Sequence, residues 1–68
     1  MISSMAEAPN YTPKQIAALR DRLGLSVAEA ADKVGVSRIS WWQWEAGKRR
    51  PSLQSRLLIL LLAQGKLP

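Results

Sequence analysis

The sequence predicts an all-α domain of four helices, and three observations carry that prediction. Helix-capping signals recur at short intervals, a glycine follows each apolar stretch, and no segment shows the period-two alternation of a strand. Thr12-Pro13-Lys14-Gln15 opens the first helix. Threonine caps it, proline pre-sets φ at the first helical position, and the glutamine can reach back to the N–H of the cap. Ile16, Leu19 and Leu23 then recur on one face, and Gly24 stops the helix. Ser26-Val27-Ala28-Glu29 is a second capping box, opening a short helix through Val34 that ends at Gly35. Ser37 caps a third helix, ended by Gly47, and Ser52 caps a fourth that runs to Gln64 and ends at Gly65. A short terminal turn would make a fifth element. Residues 1–11 lack apolar periodicity and are expected to be a flexible arm, with 12–65 the folded domain and 66–68 a tail.

Sixty-eight residues allow one core, and a chain of that size is marginally stable unless something assists it. With neither Cys nor His, disulfides are impossible and a zinc site is disfavoured, so no metal or other cofactor is expected. Oligomerisation is the remaining aid, and a homodimer is expected. An enzyme is disfavoured by the same inventory, since the chain has few carboxylates and no glycine-rich phosphate loop. The first seven residues lack the basic and apolar regions of a signal peptide. Residues 57–63 are apolar throughout, but a membrane span needs about 20 such residues. A cytoplasmic protein is therefore expected.

Charge is unevenly distributed. Residues 1–36 carry four basic and four acidic side chains, whereas residues 37–68 carry six basic ones against Glu45 alone. The whole net charge of +5 therefore lies in the second half, which suits a polyanion, nucleic acid before anionic membrane.

Helices two and three, joined by Gly35-Val36-Ser37, have the form of a DNA-binding helix-turn-helix. On a helical wheel Ser40, Trp41 and Trp44 fall on one side of helix three, and Arg38, Ile39, Trp42, Gln43 and Ala46 on the other. The two tryptophans of the first set are core candidates. The second set mixes apolar and planar polar groups on one stripe, as base edges require. Arg pairs with guanine, Gln with adenine, and apolar groups meet the thymine methyl. Arg38, Ile39, Trp42 and Gln43 are thus the candidate base contacts, with packing or dimerisation an equal alternative for Trp42. Ser37, Ser40 and the loop Lys48-Arg49-Arg50 are candidate phosphate contacts, which supply affinity but no sequence information. Lys14 and Arg56 are weaker candidates of the same kind.

The stretch from Ser26 to Ser52 resembles the XRE/Cro family of lambdoid-repressor-like regulators. The resemblance rests on Ser26 with Glu29, Ala31, Gly35-Val36-Ser37, Trp44-Glu45-Ala46-Gly47 and the basic run closed by Pro51-Ser52, and covers roughly residues 12–64. It implies a lambda-repressor-like domain whose base contacts lie on the same face of helix three. It also implies a transcriptional regulator, with phage Cro-like repressors, repressors of anti-CRISPR operons and antitoxins among the family's small members. The sequence departs from the family pattern at Ala30, where leucine is usual, and at Val27, where many members carry a phosphate-binding glutamine. The amides at the start of helix two remain able to meet a phosphate.

Helix four is apolar all round. Leu53, Leu57, Leu60 and Leu61 are expected to close the core, leaving Leu58, Ile59 and Leu62 as a dimer interface. Paired helices four would set the two recognition helices about 34 Å apart on a near-palindromic operator of double-stranded DNA. The competing reading is an antitoxin or adaptor that binds a protein partner through helix four.

Overall fold

The computed structural model describes residues 9–67, and among them four helices are the only regular structure: α1 (Pro13–Arg22), α2 (Val27–Val34), α3 (Arg38–Ala46) and α4 (Leu53–Ala63). A turn at Gln64–Gly65 follows α4, closed by the Lys66 N–H on the Leu61 carbonyl at 2.9 Å, and no fifth helix follows within the described residues. Each helix starts where its cap predicts. The Thr12 hydroxyl accepts the Gln15 N–H at 3.1 Å while the Gln15 side chain accepts the Thr12 N–H at 3.0 Å. Ser26 and Glu29 repeat the exchange at 3.0 and 2.8 Å, and the backbone N–H that Ser26 donates holds the Glu29 carboxyl below the usual carboxylate range. Ser37 and Ser52 cap α3 and α4 by accepting the N–H groups of Ser40 and Ser55.

The turn between α2 and α3 depends on Gly35, which leaves α2 at φ +77°. That conformation lets the Val36 N–H return to the Ala31 carbonyl at 2.9 Å, and Val36 then packs against the core. A Cβ on Gly35 would meet nothing within 4 Å, so a substitution is strained only by its φ. Gly35→Ala should therefore cost about 1–2 kcal/mol in chemical denaturation. An unchanged or raised midpoint would contradict the left-handed turn.

The core comprises Ile16 and Leu19 of α1, Ala30, Ala31 and Val34 of α2, Trp41 and Trp44 of α3, and Ile59 and Leu62 of α4. α3 packs on both α1 and α2, and α4 packs on α2. The small side chains Ala30 and Ala31 of α2 share this cluster with the two indoles of α3 and with Ile59 and Leu62 of α4. Trp41 is wholly buried, and its ring lies 5.5 Å from that of Trp44, inclined by 50°.

The structure corrects the orientation expected for α4. Ile59 and Leu62, expected at a dimer interface, are 0% and 5% exposed and belong to the monomer core, and Leu58 is packed against that core. Leu53, expected inside, is 46% exposed. Leu57, Leu60 and Leu61 are half-buried, and none of them is among the side chains packed on the buried cluster. The helix is rotated so that its residues 58, 59, 62 and 63 face inward. A helix apolar all round has no polar stripe to fix its rotation, so neighbouring helices fix it instead.

At the ends of the domain, Tyr11 and Leu67 pack against the core and Asn10 accepts a hydrogen bond from Arg56 at 2.6 Å. The last residues of the expected arm are therefore docked, while residues 1–8 and Pro68 lie outside the described residues.

Candidate nucleic-acid interface

The order of side chains along α3 divides the helix into two faces. Trp41 and Trp44 turn inward, while Arg38 is exposed and Ile39 and Trp42 are 68% and 51% exposed. Gln43 is half-buried and lies beside them at the margin of the outer face. An isoleucine and a tryptophan exposed together with an arginine and a glutamine form a surface that water solvates poorly. Groove edges of DNA offer such a surface both acceptors and methyl groups.

The structure also places each candidate phosphate contact. Ser37 spends its oxygen on the cap and donates its hydroxyl hydrogen to Ser40 Oγ at 3.0 Å, which leaves the Ser40 hydrogen for an external acceptor. Lys48 follows Gly47 and its N–H returns to the Gln43 carbonyl at 2.9 Å. Its ammonium stands 5.9 Å from the centre of the Trp42 ring, which joins the basic loop to the outer face of α3. Arg49 and Arg50 are exposed and line an open cleft with Arg56, Asn10, Tyr11 and Thr12. This cleft gathers three guanidinium groups beside the first residues of α1. Lys14 is exposed on the first turn of that helix.

One functional element escaped the sequence reading. Glu45 occupies the inner side of α3 and receives three hydrogen bonds from two helices. Arg20 Nε and Nη2 donate to its two oxygens at 2.6 and 3.0 Å, and Trp41 Nε1 donates at 2.5 Å. The third guanidinium nitrogen of Arg20 caps the Leu25 carbonyl at 3.0 Å. Both charged side chains are mostly shielded, with 23% of Arg20 and 15% of Glu45 accessible. The bidentate pair, and chiefly the hydrogen bonds from Arg20, holds the Glu45 carboxyl below its ordinary range. Two consequences follow for the site. The pair pins α3 to α1, and it neutralises the only acidic side chain of residues 37–68 on the side away from the exposed stripe. The available signal was the single acid of α3 set one turn after a core tryptophan.

No helix among the described residues is long and apolar enough to cross a membrane. No curated protein matches the sequence. A family model described as a helix-turn-helix domain matches residues 14–64, three quarters of the chain and all but the first residue of the four helices described above. Short helices joined through a left-handed glycine, an exposed stripe on the second of them and a flanking basic loop are the parts from which that fold meets a duplex. The chain belongs to the helix-turn-helix domain family of DNA-binding proteins.

Proposed function

We propose that the protein is a sequence-specific transcriptional regulator of XRE/Cro type, acting in the cytoplasm as a homodimeric repressor of its own or an adjacent operon. The observation that carries this reading is the two-sidedness of α3, whose outer stripe of Arg38, Ile39, Trp42 and Gln43 is backed by a fixed inner face. Arg38 and Gln43 supply hydrogen bonds to bases, and Ile39 and Trp42 supply apolar contact. Ser37, Ser40, Lys48, Arg49 and Arg50 bind phosphates and set the register of the helix in the major groove. Two copies on a near-palindromic operator would read one half-site each, and occupation of promoter DNA would exclude polymerase.

The division of roles is testable on a duplex selected from random sequences. Arg38→Ala or Gln43→Ala should cost about 1–3 kcal/mol on that duplex and little on random DNA. Lys48→Ala or Arg49→Ala should weaken binding to both alike and lower the salt slope by about one. Equal losses on both DNAs for all four variants would reject the assignment of base and phosphate contacts.

A further inference from the structure

The two most exposed large apolar side chains among the described residues both stand on the outer stripe of α3. Ile39 is 68% and Trp42 51% exposed, and neither belongs to the core or to the side chains packed against it. Each lies one turn from a planar polar side chain, Trp42 from Arg38 and Ile39 from Gln43, both at i and i+4. Around the helix the order is therefore Arg38, Trp42, Ile39, Gln43, with the apolar pair enclosed between the polar ones. The Lys48 ammonium, 5.9 Å from the centre of the Trp42 ring, ties that ring to the loop after α3.

Apolar surface of this kind gains from an apolar partner, and the major groove has one to offer. The C5-methyl of a pyrimidine is the apolar group on a base edge there. Thymine carries it, cytosine lacks it, and 5-methylcytosine carries it again. The stripe is poorly equipped for unmodified cytosine, whose handle is the N4 amino donor and whose matching acceptor is a carboxylate. Glu45, the only acid of residues 37–68, is turned inward and takes hydrogen bonds from Arg20 and Trp41. Arg38 suits guanine and Gln43 suits adenine. What remains for Ile39 and Trp42 is a methylated pyrimidine beside a purine.

From this we infer that Ile39 and Trp42 read pyrimidine C5-methyl groups, so that the protein accepts thymine or 5-methylcytosine at those positions and discriminates against unmodified cytosine. Methylation of a cytosine within the site then sets the affinity of the protein for that DNA. The inference rests on the DNA-binding reading above and adds the chemical group that the apolar half of the stripe recognises.

The test uses the full chain and a half-site duplex selected from random sequences. Each thymine of the half-site is replaced singly by deoxyuridine, which keeps the pairing and removes only the methyl. At least one replacement should weaken binding by about fourfold, the worth of one methyl-sized group kept out of water. At the same position, a pair of 5-methylcytosine with guanine should bind about fourfold more tightly than the same pair unmethylated. A variant carrying both Ile39→Ala and Trp42→Ala, changed only at exposed positions, should bind the methylated and unmethylated duplexes equally. Should it bind too weakly to measure, the two single variants give the same comparison. Equal wild-type binding with and without the methyl at every position would overturn the inference, and so would a methyl preference undiminished in the variants. A preference for thymine without one for 5-methylcytosine would overturn the control of affinity by cytosine methylation. Failure of the selection to yield any preferred duplex would instead overturn the DNA-binding reading itself.

Discussion

Trp41→Ala should cost about 3–5 kcal/mol, the range found when a buried aromatic is truncated in a core that cannot collapse around the void. Trp41 has no accessible surface, packs at a tilt against Trp44 and donates its indole N–H to Glu45. The total stability of a domain this small lies near the lower end of about 5–15 kcal/mol, so the variant should be largely unfolded at ambient temperature. Urea denaturation followed by circular dichroism measures the loss. Trp42→Ala is the control, because its ring is half exposed and touches the core through none of the buried contacts. It should change stability by no more than about 0.5 kcal/mol while weakening DNA binding. Comparable destabilisation by Trp41→Ala and Trp42→Ala would refute the assignment of inner and outer faces on which the functional reading stands.

Arg20→Ala should lower stability by about 2–3 kcal/mol at neutral pH. Removing one partner from a shielded ion pair leaves the other uncompensated, and the residual access of water to both groups keeps the loss below that of a dry pair. DNA affinity should fall as well, although Arg20 lies off the exposed stripe, because α3 loses its anchor to α1. The effect should depend on pH with a definite sign. The carboxyl of Glu45 is held down in the folded state, so its contribution is complete above the unfolded value of about 4.3. That contribution is lost as pH falls through the lower folded value. Wild type and Arg20→Ala should therefore differ most at neutral pH and converge in acid. Glu45→Gln should reproduce the loss and flatten its pH dependence. A constant difference between wild type and Arg20→Ala down to pH 2 would show that the stabilisation does not come from the ionised pair.

The Arg20–Glu45 pair also separates what the sequence could disclose about the site from what it could not. The exposed stripe was legible because its residues lie within one helix, where a wheel orders them without knowledge of the rest of the fold. The anchor was not legible, since its partners stand 25 positions apart and no local pattern couples them. The cleft of Arg49, Arg50 and Arg56 with Asn10 was hidden for the same reason. Arg56 and Asn10 are 46 positions apart, and only the packing of α4 beside the start of α1 brings them together.

Local chemistry in the chain determined the four helices, their order and nearly all their limits. Caps such as Thr12 with Gln15 and Ser26 with Glu29 act over three residues, and a left-handed glycine acts at one, so these preferences are written where they operate. The division of α3 into a core side and an outer side was fixed by the same means. The rotation of α4 was decided only on packing. With leucine or isoleucine at every position from 57 to 62, every rotation buries apolar surface, and the space left by Ala30 and Ala31 on α2 takes Ile59 and Leu62. Hydrophobic burial has no direction of its own, so a helix without a polar face takes its orientation from its neighbours.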